Sequence, residues 1–336
     1  MKFYVKTIFL ILVCGLMSTT TACSKDNDSS FDNGGGSVPQ SRRTVSQLSD
    51  FFWNNSSCRQ LDDSRVKAMY EMQVYADLCP NTYFKQYYAS TDNNKDKEME
   101  NNSILGYHQN ALERLLEIVP LEKVAEGHIV LYQLYNMGYI VKTPSHCFGI
   151  DLKHKNAALL EPLIDFLCIT HEHEDHYTVA LNNAMAAAGK PVYSNFLDNG
   201  HKITGVKTIK PVGDIEIRTK IVDHNSSLKN FVVTYQIDCG KDAANKVVFH
   251  CGDAYTHTQL EKTKPIDIFI PHLANGLDMN ATVSKMDPKV VLMSHILELD
   301  HPVEQWRWSY QEGIKRTKEV NRDGVYLPVW GERFEY

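Results

Sequence analysis

The sequence predicts a mixed α/β (α+β) protein with an N-terminal helical extension. Between residues 101 and 119, apolar side chains recur at steps of three and four, the spacing of one buried helix face. After Gly127 the pattern changes to short apolar or alternating runs separated by turn residues, which is typical of strands. Several of these runs are followed directly by His or Asp. We therefore expect helices first, then strands whose ends carry the functional side chains.

The segment before Gly127 contains two predicted helices. They cover residues 65–78, ahead of Pro80, and residues 101–119, ahead of Pro120, since proline cannot continue a helix. An aromatic cluster at residues 83–88 has two interpretations. It packs onto the following domain, or it forms a wall of a substrate pocket.

The remaining elements are predicted from alternation, apolar runs and turn residues. Gly189 marks a helix end. Strands are predicted at 129–135, 139–143, 148–152, 166–170, 192–194, 206–210, 215–222, 231–237, 246–251, 266–270, 290–294 and 325–329, and helices at 156–164, 178–188 and 302–320.

The chain divides into four predicted regions. Residues 1–22 read as a signal peptide, because a basic start precedes an apolar run too short to span a bilayer, which needs roughly 20 residues. Residues 23–44 are rich in Ser, Asn, Asp and Gly and read as a flexible tether. Residues 45–126 form the helical segment, and residues 127–336 form the strand-rich domain described below.

The end of the leader resembles the processing site of bacterial lipoproteins. Small residues at 18–22 precede Cys23, so the resemblance implies that Cys23 is lipidated and anchors the protein to a membrane. The expected location is the cell envelope, as an outer-membrane lipoprotein facing the periplasm or the surface. The alternative is an ordinary cleaved secretory signal, because Thr20 stands where such sites usually carry Leu.

Composition limits the classes of partner. The chain has 336 residues, 43% of them hydrophobic and 23% charged, with a formal net charge of −6. These values are typical of a globular protein, and the absence of a Lys/Arg-rich run gives no reason to expect nucleic acid as a partner. Cysteine spacing shows no zinc-finger pattern. Cys58 and Cys79 lie in one region and are a candidate disulfide in an exported protein.

A metal-binding pattern follows the strand predicted at 166–170. His171, His173, Asp175 and His176 have the spacing H-x-H-x-D-H. Imidazole and carboxylate are ligands of zinc and neighbouring divalent metals. Further metal-type residues stand after later strands: His224, Asp253, His272 and His295. Because strand ends aim side chains into one crevice, we expect these residues to converge.

The run THEHEDHYT at residues 170–178 resembles the signature of the metallo-β-lactamase superfamily of binuclear metal hydrolases. The resemblance covers about residues 127–330 and implies an αββα four-layer sandwich. Within the superfamily, Gly252-Asp253-Ala254, Pro271-His272 and Met293-Ser294-His295 are most similar to the UlaG-like branch, which includes lactonases and phosphodiesterases.

The resemblance implies a role for each residue of the pattern. His171, His173 and His224 would bind the first metal ion, and Asp175, His176 and His295 the second, with Asp253 bridging both. His201 competes with His224 as a ligand, and His301 competes with His295. Asp151 would hydrogen-bond a ligand histidine from behind. His257, His272 and Asn275 are candidates for binding substrate, with local hydrogen bonding in loops as the alternative.

The expected chemistry is hydrolysis. Two divalent ions lower the pKa of a shared water towards about 7, and Asp175 or Asp253 takes up a proton. Zinc is the expected metal, with Mn or Fe as alternatives. His173 favours a hydrolase over di-iron relatives, which typically carry Glu at that position. Esters or phosphodiesters are the expected substrates, with lactones or amides as the alternative. A non-catalytic, metal-stabilised surface lipoprotein that binds a small ligand is the hypothesis from another class.

Overall fold

The computed structural model describes residues 42–90, 102–320 and 322–336. The predicted signal peptide at 1–22, the lipidation site Cys23 and the tether up to residue 41 lie outside the described residues. Among the described residues, no helix combines the length and apolar character that crossing a bilayer requires.

The helices form where amphipathic runs and capping residues coincide. Thr44 caps the first helix through Gln47 in a capping box, and Asp62 caps the second by accepting from Arg65 N. The α-helices are α1 (Val45–Trp53), α2 (Asp63–Asp77), α3 (Asn81–Ala89), α4 (Ser103–Ile118), α5 (Val179–Ala187), α6 (Met279–Met286) and α7 (Tyr310–Glu319). Two 3-10 helices span Ala157–Leu163 and His257–Gln259.

The strands build two mixed sheets. They are β1 (Val130–Tyr135), β2 (Gly138–Lys142), β3 (Cys147–Ile150), β4 (Phe166–Cys168), β5 (Val192–Tyr193), β6 (Lys207–Ile209), β7 (Glu216–Val222), β8 (Val232–Asp238), β9 (Val247–His250), β10 (Ile268–Ile270), β11 (Val290–Leu292), β12 (Val325–Tyr326) and β13 (Arg333–Glu335). One sheet has the order β13-β1-β2-β3-β4-β5, and the other β12-β11-β10-β9-β8-β7-β6. Strands β9 to β12 run parallel to one another.

The two sheets pack face to face, with helices on their outer sides. In β1, Leu131 belongs to the core between the sheets, whereas its neighbours Val130 and Tyr132 belong to the core that the helices cover. Both faces of β1 are therefore buried, which explains its nearly continuous apolar sequence. The fold is mixed α/β with four layers, as the sequence predicts.

The helices before β1 share the core of the strands. Arg65 in α2 is fully buried and pairs with Glu332 near the C-terminus through two nitrogen–oxygen contacts of 2.7 and 2.6 Å. Trp53 Nε1 donates to the carbonyl oxygen of Trp330 at 2.9 Å. A buried ion pair with matched geometry fixes the position of both elements.

Some element predictions were wrong. The last helix begins at Tyr310 and not at 302, because Ser309 caps its N-terminus. The loop before Ser309 runs towards the site described below. Helix α6 and strand β13 were not predicted. The aromatic cluster at 83–88 lies in α3, where Phe84 is buried against Tyr135. Cys58 and Cys79 are both buried and are not joined to each other by a disulfide.

Candidate metal centre

The predicted metal ligands meet at one end of the strands. His171 follows β4, His224 follows β7, Asp253 follows β9 and His295 follows β11. Gly252 has a φ of +52°, in the left-handed region, and brings the chain close to Thr170, just after the end of β4. A Cβ there would lie 2.8 Å from Cβ of Thr170, so only glycine fits without displacement.

One group of possible ligands contains His171, His173, His224 and Asp253, whose ligand atoms all lie within 4.8 Å of one another. His171 Nε2 lies 3.0 Å from His173 Nδ1. His224 Nε2 lies 3.4 Å from Asp253 Oδ2. These are the residues expected at the first metal, together with the carboxylate expected to bridge.

A second group contains Asp175, His176 and His295, all buried. Asp175 Oδ2 lies 3.2 Å from Nε2 of both His176 and His295. His295 has φ +70°, a conformation that non-glycine residues adopt at a cost of roughly 1–3 kcal/mol. The surrounding structure therefore holds this imidazole in place against backbone strain.

Asp253 lies between the two groups. Its Oδ1 is 3.3 Å from His176 Nε2, and its Oδ2 is 3.5 Å from His295 Nε2 and 3.8 Å from His171 Nε2. One carboxylate thus faces ring nitrogens of both groups. This is the position that a bridging ligand requires.

The residues fit divalent metal ions. Ligands that each lie about 2.0–2.2 Å from a shared ion are separated by distances of this size. Several buried polar atoms also lack a hydrogen-bond partner among the described residues: Nε2 of His176, Nε2 of His224 and Oδ1 of Asp253. Leaving such atoms unpaired is costly, and metal ions at the centre would satisfy them.

Asp151 supports the centre from behind. Its Oδ2 accepts from His176 Nδ1 at 2.9 Å, so Nε2 of that ring is left to face the other ligands. Its two oxygens also accept from the backbone nitrogen and the hydroxyl of Thr170, each at 2.7 Å. Thr170 Oγ1 lies 3.0 Å from His171 Nδ1 and fixes that ring in the same way.

Asn136 was not identified from the sequence. Its Nδ2 donates to Asp175 Oδ2 at 2.8 Å from the turn between β1 and β2, where Asn136 has φ +51°. The turn sequence Asn-Met-Gly indicates a hairpin but not the direction of its side chain. The contact orients the Asp175 carboxylate towards the centre.

His272 lies beside the centre, and its proton is on a different ring nitrogen from that of His176, which donates from Nδ1. Its Nδ1 accepts from the backbone nitrogens of Ala274 and Asn275, both at 2.9 Å, so the neutral ring carries its proton on Nε2. Burial lowers the pKa of His272 well below its usual value and keeps the ring neutral. Although His272 forms a third close group with Asp253 and His295, it is therefore a hydrogen-bond donor and a poor metal ligand.

His224 needs a small rearrangement to bind a metal. Asn225 Oδ1 accepts from two backbone nitrogens, so its Nδ2 is the atom 3.0 Å from His224 Nδ1. In this arrangement Nδ1 accepts and Nε2 carries the proton. Binding through Nε2 requires the proton to move to Nδ1 and the Asn225 amide to turn away.

Charge distribution favours bound cations. Burial raises the pKa of Asp253, but the imidazoles around it, that of His176 first, lower the pKa well below its usual range. Burial holds the pKa of His171 well below its usual value and lowers the pKa of His173 to about 4. At His176 and His295 burial acts in the same direction, but the carboxylates of Asp175 and Asp253 outweigh it and raise the pKa of both rings. Bound cations would take the place of these protons beside the charged carboxylates.

A cavity of about 520 Å³ opens over the centre. Predicted site residues line it, among them His173, Asp175, His224, Asp253, His272, Asn275 and His295. Lys85 of α3 belongs to the 83–88 cluster, for which a pocket wall was one of the two interpretations. The rest of the wall was not predicted as such and comes from loops: Glu174, Asn225, Leu228, Asp300, His301, Trp306 and Trp308. Residues 83–88 therefore contribute to both packing and the cavity.

Other candidate residues lie in different places. Asn275 lines the cavity and donates its Nδ2 to the carbonyl oxygens of His224 and Asp253, so it also ties two loops together. His257 is not among the cavity-lining residues and lies in a 3-10 helix, because the chain leaves the centre after Asp253. His201 is exposed and packs against Tyr193. His301 lines the cavity but belongs to neither group of possible ligands.

Comparisons with known proteins found partial likenesses. No family model matches the chain, and no curated protein matches it. Among solved structures, Igni18, a metallo hydrolase from Ignicoccus hospitalis KIN4/I, is 18% identical with a TM-score of 0.48, over 62% of this chain and 98% of its own. The metallo-β-lactamase fold protein YhfI from Bacillus subtilis is 13% identical with a TM-score of 0.46, over 63% of this chain and 100% of its own.

A protein with different chemistry has a similar score. CmlA, a diiron β-hydroxylase from Streptomyces venezuelae, is 14% identical with a TM-score of 0.46, over 64% of this chain and 55% of its own. These three TM-scores lie below 0.5, so no conclusion about function is drawn from the likenesses. The function is inferred below from the residues of the site.

Proposed function

We propose that this protein is a metal-dependent hydrolase of the metallo-β-lactamase type, with two divalent ions held by the two groups around Asp253. The observation that carries the proposal is the Asp253 carboxylate, which lies 3.3–3.8 Å from ring nitrogens of His176, His295 and His171. A single carboxylate between two sets of ligands is the arrangement of a binuclear site. The UlaG-like branch is the subgroup that the sequence favours.

The chain supplies the groups that such a reaction needs. When bound, two divalent ions lower the pKa of a shared water so that hydroxide forms at neutral pH. Asp175 and Asp253 are the buried carboxylates of the centre, and either is placed to take up a proton. His272 donates from Nε2 to the oxygen on which negative charge develops.

The cavity favours a small molecule with an apolar part. Trp306, Trp308 and Leu228 contribute apolar surface to its wall, and Lys85 adds a cation that lies 3.9 Å from Glu174 Oε2. A volume of about 520 Å³ falls in the range of small-molecule sites. We propose an ester or phosphodiester substrate, with a lactone or amide as the second candidate, because all these substrates develop negative charge on an oxygen.

Zinc is the proposed metal. Five imidazole ligands and two carboxylates suit zinc, and the same set accepts manganese or iron. His173 at the position that di-iron relatives fill with Glu favours hydrolysis over redox chemistry. Iron in the purified protein together with oxygen consumption would support the redox alternative.

We propose that the protein acts in the bacterial cell envelope. The basic and apolar leader, the small residues at 18–22 and Cys23 support a lipid anchor in the outer membrane. Labelling with an alkyne fatty acid tests the proposal, since Cys23→Ser abolishes the label if Cys23 is the modified residue. A secreted, unlabelled wild-type protein would support the ordinary signal instead.

The function is tested by metal analysis and hydrolysis together. The chain from residue 24 onward is loaded with zinc, and its turnover of bis-p-nitrophenyl phosphate, p-nitrophenyl esters and a lactone panel is measured. We expect about two metal ions per chain and turnover that His173→Ala abolishes. His201→Ala is the matched control, because this histidine is exposed and lies outside the site. Two bound metals without turnover of any substrate would favour the ligand-binding lipoprotein instead.

A further inference from the structure

We propose that His301, held by the buried carboxylate of Glu298, is a further catalytic residue that protonates the leaving group of the substrate. This role rests on the proposed hydrolase function. This role differs from metal binding, for which the sequence offered His301 as an alternative to His295. The pair lies in the loop between β11 and α7, and His301 lines the same cavity as the metal ligands.

Glu298 has an unusual environment for a carboxylate. It is fully buried, and its described hydrogen-bond partners are the Tyr135 hydroxyl at 3.5 Å, the backbone nitrogen of Asp300 and Nδ1 of His301. Among the described residues, no lysine or arginine forms an ion pair with it. A buried carboxylate needs a cationic partner, and the imidazolium of His301 is the one within reach.

His301 connects this buried charge to the cavity. Its Nδ1 donates to Glu298 Oε2, so Nε2 is its second nitrogen, and no described residue hydrogen-bonds that atom. The side chain is 34% exposed and lines the same cavity as His173 and Asp253. The edge of its ring meets Trp306 at 5.5 Å between centroids. A proton on Nε2 is therefore available to a ligand in the cavity.

The backbone of His301 is tied to the end of α2 through Arg307 of the same loop. Arg307 Nε donates to the His301 carbonyl oxygen at 2.9 Å. The same guanidinium donates to the carbonyl oxygens of Ala76 and Cys79 at 3.0 and 2.7 Å. Anchoring at the end of α2 holds the imidazole in position, which proton transfer requires.

A comparison with His176 separates the two roles. Both rings donate Nδ1–H to a buried carboxylate, Asp151 or Glu298. His176 Nε2 faces Asp175 and Asp253 at 3.2 and 3.3 Å, whereas His301 joins no group of close ligand atoms. A buried carboxylate on Nδ1 therefore supports metal binding by His176 and proton donation by His301.

The charges around His301 favour its protonated form. The hydrogen bond to Glu298 raises the pKa of His301 above its usual value, burial opposes it, and the Asp175 carboxylate adds to the increase. Burial and the neighbouring Glu298 raise the pKa of Asp300. The cations nearby in the described part of the chain are Arg307, on the His301 carbonyl, Lys153, 3.7 Å from Asp300 Oδ1, and Lys85, which lines the same cavity. At neutral pH the ring thus holds a proton to give.

The proposed step balances. The oxygen of the nucleophilic water bonds to the carbonyl carbon or phosphorus, and the C–O or P–O bond to the leaving group breaks with its electron pair. The leaving oxygen takes the proton from His301 Nε2. The proton released by the water returns the ring to its cationic form through solvent. No oxidant or reductant is needed.

The test compares leaving groups. Zinc-loaded wild type, His301→Gln and Glu298→Gln are assayed with p-nitrophenyl esters and phosphodiesters and with alkyl analogues that share the acyl or phosphoryl part. A p-nitrophenolate leaves without help, whereas an alkoxide needs a proton. We expect His301→Gln to lose about 100-fold in kcat on the alkyl substrates and less than about 3-fold on the p-nitrophenyl substrates, with metal content unchanged.

Each result decides between the alternatives. Equal losses on both kinds of substrate, or loss of metal from His301→Gln, would overturn the proton-donor role while leaving the hydrolase function in place. No turnover of either substrate by the wild type would overturn both proposals. Retained activity of His201→Gln serves as the matched control for a histidine outside the cavity.

A second readout does not depend on turnover. In ¹⁵N spectra of imidazole nitrogens, the His301 signals are those absent from His301→Gln. We expect them to show a doubly protonated ring at pH 7 that titrates above 6.5, and a lower titration point in Glu298→Gln. A neutral ring at pH 7, or coupling of its nitrogen to bound ¹¹³Cd, would contradict the proposal.

Discussion

Asp151 Oδ2 accepts from His176 Nδ1 at 2.9 Å and from the Thr170 hydroxyl at 2.7 Å. The backbone nitrogen of Thr170 is a third donor to the Asp151 carboxylate. Every described polar group at hydrogen-bond distance from this side chain is thus a donor. This residue is a positioning element whose two oxygens both accept. The arrangement leads to the first prediction.

Asp151→Asn should weaken metal binding by about 10- to 100-fold, because one amide NH₂ would replace an acceptor and face a donor. Competition with a chromophoric zinc chelator measures the affinity. Asp165→Asn, which alters a carboxylate that is partly exposed near β3, is the control and should bind metal as the wild type does. Unchanged affinity in Asp151→Asn would remove Asp151 from the site.

Removal of metal should destabilise the fold. Unpaired ring nitrogens and the unpaired Asp253 oxygen then stay buried without compensation. Zinc at 100 times its Kd should stabilise the native state by about 2.7 kcal/mol, and the gain should rise with metal concentration. Thermal melts in a chelator and in a zinc series measure the effect. A Tm independent of zinc would show that no ion binds specifically to the native state.

His272 and His295 should respond differently to mutation. His295→Ala removes a proposed ligand and should lower the metal content, whereas His272→Ala should retain both ions and lose about 10²–10³-fold in kcat. The reason is the tautomer that two backbone nitrogens impose on His272. Metal analysis and kinetics on the same preparations separate the outcomes. Metal loss in His272→Ala would make this residue a ligand.

The protein should lose stability as the pH falls below about 6.5. Burial lowers the pKa of His154 to about 3, so between these values the unfolded chain binds a proton that the folded chain does not. Stability therefore falls with decreasing pH, by up to about 1.4 kcal/mol per unit from this group. In urea melts of the metal-free protein, His154→Gln should show a shallower slope than the wild type. An identical slope would contradict the assignment.

The central part of the site could be predicted from the sequence because strand ends converge. His171, His176, Asp253 and His295 follow buried strands, so their order along the chain determines their neighbourhood. The choice of His224 over His201 followed from the same logic, and the structure places His224 with the other candidates.

The wall of the cavity could not be predicted. Trp306 and Trp308 lie in a loop whose sequence reads as the start of a helix, and Ser309 capping moves that start to Tyr310. Lys85 belongs to the 83–88 cluster, and its aromatic sequence did not decide between packing and a pocket wall. The role of His301 depends on Glu298, whose burial is a tertiary property and leaves no local pattern.

The attachment of α2 and α3 to the site has a consequence for comparing relatives. Arg65 fastens α2 to Glu332, Arg307 fastens the end of α2 to the loop of His301, and Lys85 of α3 lines the cavity. Changes in these upstream helices can alter which molecules enter while every metal ligand stays the same. Two proteins with identical ligand sets need not share a substrate, and exchanging this helical segment between homologues offers a route to altered selectivity.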